Sequence, residues 1–171
     1  AGSAVIAKPA EPPPLLAHEA ARLFFEAGLP VDVLHILPGR GESVGASLTN
    51  DPRTAGVAFT GSTDVARMIN RSLAARDCAI GPLIAETGGL NAMFVDTTAL
   101  REQVVDDATI SAFGSAGQRC SALRIILVPE DNAAATINAL AGAMDELKGG
   151  DPADPATATV PVIGGEARRC P

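Results

Sequence analysis

Short apolar runs, each closed off by glycine or proline, alternate along this chain with stretches of helical periodicity. Residues 4–7, 33–37, 57–59 and 80–84 read as strands, because each is apolar and too short for a helix. After Pro9, Pro12, Pro13 and Pro14 force a turn, Leu15, Leu16, Ala20, Leu23, Phe24 and Ala27 recur at helical spacing until Gly28 and Pro30. The segment 39–45 opens a short helix through Leu48, and Val65, Met68, Ile69 and Leu73 mark another after Gly61-Ser62-Thr63. The second half repeats the rhythm. A strand at 92–95 precedes a helix carrying Leu100, Val104, Ala108 and Ala112. A strand at 123–128 precedes a helix carrying Ile137, Leu140, Ala141, Met144 and Leu147, which stops at Gly149-Gly150. Strands separated by helices rather than tight turns run parallel, so the expected class is α/β with crossover helices. Gly88-Gly89 reads as the boundary between two subdomains, and the Pro-, Ala- and Thr-rich tail from Asp151 as a surface loop or linker.

Composition narrows the partners. The chain has 171 residues, 47% hydrophobic and 3% aromatic, with no Trp or Tyr, so its core is aliphatic. A net charge of −7 without a basic stripe argues against nucleic acid. Cys78, Cys120 and Cys170 form neither a disulfide framework nor a metal spacing. Free thiols imply a reducing compartment, and a cytoplasmic location is the expectation. No apolar run approaches the roughly 20 residues of a transmembrane span. The start lacks an initiator Met and any signal-peptide pattern, and both ends read as the middle of a longer chain.

Several residues are suited to chemistry, each with an ordinary alternative. Cys120, in Gly117-Gln118-Arg119-Cys120-Ser121, has small neighbours and a cationic one. It is either a nucleophile activated by Arg119 and turn N–H groups, or a plain buried thiol. Glu86 closes an apolar strand in Glu86-Thr87-Gly88-Gly89, where parallel sheets gather their catalysts. It is either a general base or a solvated carboxylate. Phe59-Thr60-Gly61-Ser62-Thr63 is a strand, a turn and a helix start, suited to a pyrophosphate or merely to an N-cap. Lys8 and Glu11 suit a ribose diol or simply a wet surface. His18 and His35 lack partners at metal spacing, and no metal site is expected.

Taken together, Lys8-Pro9-Ala10-Glu11, Phe59-Thr60-Gly61-Ser62-Thr63, Glu86-Thr87-Gly88-Gly89 and Gly117-Gln118-Arg119-Cys120 resemble the aldehyde dehydrogenase superfamily in order and separation. The likeness runs from the first residue to about Ile163. The phrases 85–93 and 111–123, with Val65-Ala66-Arg67, are most similar to its Δ1-pyrroline-5-carboxylate dehydrogenase branch, the module of bifunctional proline utilization A. That resemblance implies a partial Rossmann-like NAD-binding domain over 1–87 and the start of the catalytic domain over 88–171. It implies NAD-dependent oxidation of L-glutamate γ-semialdehyde to L-glutamate. Cys120 would form the thiohemiacetal and thioester with its backbone N–H as an oxyanion donor, and Glu86 would activate water. It assigns Lys8 and Glu11 to the adenosine ribose, Ser62 to the pyrophosphate, Val65 to the adenine, and Gly41 and Gly45 to the backbone on the adenine side. Phe59, Gly61, Thr87 and Gly88 belong to the same cofactor-binding motifs.

Departures from the family pattern are expected to matter. The family's catalytic asparagine lies upstream, and Asn91 is not that residue because it follows the Glu86 motif. The downstream Glu-x-Phe-Gly-Pro segment, the substrate-carboxylate anchor, the oligomerisation strand and the proline-oxidising module are absent. The implied partners are a small aldehyde, the rest of a parent chain, and further copies in a homo-oligomer. The alternatives are an incompetent fragment retaining part of the nucleotide site, an aldehyde dehydrogenase for another aldehyde, and a cysteine acyl-transferase or hydrolase without NAD.

Overall fold

A computed structural model describes residues 2–11, 14–165 and 167–168. Pro12 and Pro13, assigned above to a turn, and Cys170, counted above as a free thiol, lie outside the described residues. Two compact units make up the chain, Ala1–Thr87 and Gly88–Pro171.

The first unit contains β1 (Val5–Ala7), α1 (Pro14–Glu26), β2 (Leu34–Ile36), a π-helical turn (Gly41–Gly45) running into α2 (Ala46–Asn50), β3 (Val57–Gly61), α3 (Thr63–Ala74) and β4 (Leu83–Thr87). The second contains β5 (Asn91–Phe94), α4 (Arg101–Phe113), a short turn of helix (Gly114–Gly117), β6 (Leu123–Leu127) and α5 (Glu130–Asp145). β1 pairs with β2, β3 with β4 and β5 with β6, all parallel. The α/β class holds. The first half, however, divides into two strand pairs rather than one sheet.

Local chemistry explains the helix ends. Gly28, at φ +97°, closes α1: its N–H and that of Leu29 donate back to Phe25 and Phe24, each at 3.0 Å. This double bond satisfies carbonyls that a helix end otherwise leaves free. Ser62 caps α3, its Oγ accepting from the Val65 N–H at 3.2 Å. β4 begins three residues later than its apolar run suggests. Pro82 has no N–H for a ladder, but its carbonyl accepts from Val57, and pairing starts beyond it. In α5 the covered stripe is Ala133, Thr136, Leu140 and Ala143, with Leu147 half-buried just beyond its end, whereas Ile137 and Met144 of the expected stripe are exposed. Alanines all round this helix leave its apolar face undetermined by pattern.

The buried apolar core is small: Ala21, Ala66, Leu73, Val105, Ala108 and Ala122. Helices cover one face of each larger strand pair. In β3–β4, Val57, Phe59 and Leu83 are half-buried while Ala58 and Ile84 are exposed. In β5–β6, Met93 and Ile126 are half-buried while Ala92, Ile125, Phe94 and Leu127 form an open apolar face. No helix among the described residues is long and apolar enough to cross a membrane. The tail from Asp151 is a series of turns tied back by a bridge between Gly149 and Thr159.

Two expectations follow. Phe94 is 79% exposed, so in this chain Phe94→Ala is expected to cost less than about 1 kcal/mol, against roughly 3–5 for a core Phe; urea denaturation measures it. Hydrogen bonds from the Arg53 guanidinium to both Asp51 oxygens, then from the Arg53 N–H, lower the Asp51 carboxyl from 3.8 to about 2. Its folded pKa lies below its unfolded one, so the stabilisation is complete above pH 3.8 and fades as pH falls through about 2. A carboxyl NMR titration is expected to give that midpoint, and Asp51→Asn to remove this part of the acid dependence.

Candidate functional site

The first unit gathers two groups of the expected residues. At the carboxyl ends of β1 and β2, Lys8 Nζ donates to the carbonyls of Gly39 at 2.9 Å and Pro9 at 2.7 Å. Glu11 Oε1 accepts from the Gly41 N–H at 3.1 Å. Lys8 and Glu11 are therefore fastened to the segment that opens the π-helical turn, not waving on a wet surface. Each keeps spare capacity, one ammonium hydrogen and one carboxylate oxygen. Gly45 lies against the Lys8 stem, and an open groove lined by Ala10, Glu11, Pro14, Pro38, Gly39 and Arg40 runs beside them.

At the carboxyl ends of β3 and β4, the register sets Phe59 beside Ala85, Thr60 beside Glu86 and Gly61 beside Thr87. The Phe59 ring lies over Gly61, where an added Cβ would sit 2.5 Å from it. Ser62 is the ordinary N-cap of its alternative reading. That role uses only a lone pair, so the hydroxyl hydrogen remains available. The Thr63 and Asp64 N–H groups have no backbone partner among the described residues, as a helix N-terminus leaves them. Val65 is 37% exposed in the first turn of α3. Glu86 is exposed and takes no part in the ion pairs among the described residues. No group of metal-ligating side chains occurs among those residues.

In the second unit, Gly88 has open space where a side chain would stand. Cys120 is exposed, so the buried-thiol alternative fails, and Cys78 is exposed and free as well. Cys120 sits in a turn closed by the Ala122 N–H donating to the Arg119 carbonyl at 3.1 Å. The 119–120 peptide plane is thereby fixed with the Cys120 N–H directed away from the turn, and no backbone hydrogen bond among the described residues uses it. Arg119 departs from expectation. Its guanidinium reaches the Ile110 carbonyl at 3.5 Å, near the end of α4, a carbonyl that also accepts from the Gly114 N–H.

The approach to Cys120 is strained. Ser115, Ala116 and Gly117 all have left-handed backbone, at φ +57°, +54° and +67°. Such geometry costs non-glycine residues about 1–2 kcal/mol each. The Gln118 N–H and amide bond the Ser115 carbonyl, Gln118 Oε1 accepts from the Ile163 N–H at 2.9 Å, and Arg124 Nη2 donates to the Gly117 carbonyl at 2.6 Å. Asn91, excluded above as the catalytic asparagine, has a place in this turn. Its Nδ2 donates to the carbonyls of Cys120 at 2.7 Å and Ala122 at 3.0 Å. A carboxamide opening an apolar strand needs polar partners, and that was the available signal.

Comparison with known proteins agrees over the whole length. The aldehyde dehydrogenase family model matches residues 1–169. The bifunctional protein PutA of Escherichia coli (strain K12) is 53% identical over 171 residues, covering 98% of this chain and 13% of that protein. The 1-pyrroline-5-carboxylate dehydrogenase of Geobacillus sp. (strain WCH70) is 39% identical, covering 95% and 32%. Among solved structures, Bradyrhizobium japonicum proline utilization A superposes with a TM-score of 0.93 at 58% identity, covering 98% of this chain and 17% of that one. The Thermus 1-pyrroline-5-carboxylate dehydrogenase with bound NAD gives 0.90 at 33% identity, covering 98% and 33%. The chain thus spans a small part of the PutA proteins and about a third of the dehydrogenases.

The left-handed run generates its own test. Gly117→Ala is expected to destabilise by more than about 1 kcal/mol, from the positive φ and from the Ala112 carbonyl 2.9 Å from the new Cβ. Ala116→Gly is expected to stabilise by about 1 kcal/mol, by relieving the backbone. Shifts in urea midpoint measure both.

Proposed function

This chain belongs to the aldehyde dehydrogenase family, and from that we propose that it is part of an NAD-dependent dehydrogenase that oxidises L-glutamate γ-semialdehyde to L-glutamate, the second step of proline catabolism. The observation that carries the reading is its likeness, over 98% of its length, to a 1-pyrroline-5-carboxylate dehydrogenase with bound NAD. We assign nucleotide binding to 1–87 and the nucleophile to the catalytic domain begun by 88–171. The reading extends to a cytoplasmic homo-oligomer; the exposed free thiols of Cys78 and Cys120 support the reducing compartment.

The residues present fit the dinucleotide. Lys8 and Glu11 each hold one unused hydrogen-bonding position suited to a ribose diol. Ser62, with two free N–H groups at the start of α3, suits a pyrophosphate. Phe59 and Gly61 keep the end of β3 slim, and Val65 offers an apolar contact for the adenine. Bound NAD supplies the hydride acceptor.

The rest of the chemistry falls to the chain itself. The Cys120 sulfur bonds to the aldehyde carbon, and the unused Cys120 N–H donates to the oxygen as its charge grows. After oxidation the acyl group is a thioester on Cys120. Glu86 accepts a proton from the water that hydrolyses it, releasing the carboxylate product and the thiol.

The test uses the longer protein carrying this segment. Cys120→Ser is expected to lower NADH formation about 10³-fold or more while NAD binding persists. Glu86→Gln is expected to give one rapid equivalent of NADH and then turnover slowed roughly 10²-fold. Undiminished turnover in Cys120→Ser overturns the reading, and a higher kcat/KM for an unrelated aldehyde overturns the substrate.

A further inference from the structure

We propose that Asn91 is a positioning residue that sets the direction of the Cys120 thiol, an inference that rests on reading Cys120 as the nucleophile. Parallel pairing brings the start of β5 alongside the start of β6, with Asn91 opposite Leu123. The turn holding Cys120 is the chain that leads into β6, so Asn91 lies beside it although 29 residues separate them. The register then slips: Ala92 opposes Ile125, leaving Arg124 as an extra residue on β6. The slip serves both strands. Arg124 reaches the Gly117 carbonyl at 2.6 Å on one side of the turn. Asn91 Nδ2 reaches the Cys120 and Ala122 carbonyls on the other.

Two acceptors on one nitrogen require the NH₂ end of the carboxamide, which spends both its hydrogens here. The consequence for Cys120 is geometric. The Ala122 N–H fixes the peptide plane before its Cα through the Arg119 carbonyl, and Asn91 fixes the plane after it through the Cys120 carbonyl. With both planes held, φ, ψ and the Cα–Cβ direction are held too, although the residue itself is exposed and unpacked. A nucleophile on a bare turn gets its aim from these bonds, and reaction geometry is sensitive to about 1 Å. Asn91 touches no reacting atom; it acts through the turn.

The experiment compares three variants in the longer protein. Asn91→Ala is expected to lower kcat for aldehyde oxidation about tenfold or more, with KM for NAD within twofold of wild type. Asn91→Asp keeps the shape but sets carboxylate oxygens against two carbonyls, and is expected to lose at least as much. Asn91→Gln keeps both donors on a longer arm and is expected to recover part of the loss. Mass-mapped alkylation without NAD or aldehyde accompanies them: the Cys120 rate in Asn91→Ala is expected to fall at least threefold, with Cys78 unchanged. Wild-type turnover or wild-type Cys120 alkylation in Asn91→Asp overturns the proposal, also where Asn91→Ala does not fold. So does an equal change at Cys78, which marks general loosening. Because the alkylation comparison needs no catalysis, it decides the Asn91 coupling even if Cys120→Ser shows the functional reading to be wrong.

Discussion

Two parallel strands cannot be joined by a tight turn, so in each strand pair a helix carries the chain back before the next strand can start. The chain is three such strand–helix–strand units in succession. Like ends of paired strands then fall together. Lys8 meets the 39–41 segment because both follow paired strands, and Gly61 meets Thr87 for the same reason. The rule also works at the opposite end of the second unit, where Asn91 and the Cys120 turn precede paired strands. Helix placement thus decides which distant residues become neighbours, and side-chain chemistry decides what those neighbours do.

Much of this was legible beforehand, because the signals were local. Glycine and proline punctuation marks element ends, and Gly28 stops α1 through a conformation that glycine reaches without strain. The residues of the first unit's two clusters are all legible from motifs, and the structure ties Lys8 to Gly39 and Glu11 to Gly41. The failures came from non-local effects. Pattern cannot say that Pro82 delays β4, since the delay depends on which strand pairs with it. Nor can it say that α5 buries Thr136 rather than Ile137, because an alanine-rich helix offers two similar faces. Arg119 lies next to Cys120 in sequence, yet its guanidinium bonds the Ile110 carbonyl of α4. Asn91 carries no meaning until its partners across the strand pair are known.

The segment around Cys120 shows how such a site is held with little burial. Its backbone is left-handed over three residues, its thiol is exposed, and the one buried apolar residue beside it in sequence is Ala122. Packing contributes little, so hydrogen bonds from Arg124, Gln118 and Asn91 over-determine the conformation. Strain persists only where its surroundings insist on it. These bonds are solvent-accessible and individually modest, about 1 kcal/mol each, and they act as a set.

The register of β3 on β4 has one more implication, for the access of solvent to Glu86. Strand side chains alternate between faces, and Glu86 shares the open face with Ile84, while Leu83 and Thr87 turn toward the covered side. A slip of one residue would exchange the two sets. The carboxylate would then face the side that α3 covers, and Leu83 and Thr87 would face solvent in its place. Whether Glu86 meets solvent is therefore decided when the strands align, and it is secured by the apolar residues on the covered side. Leu83 and Phe59, half-buried themselves, act in this sense as guardians of a carboxylate's place in water.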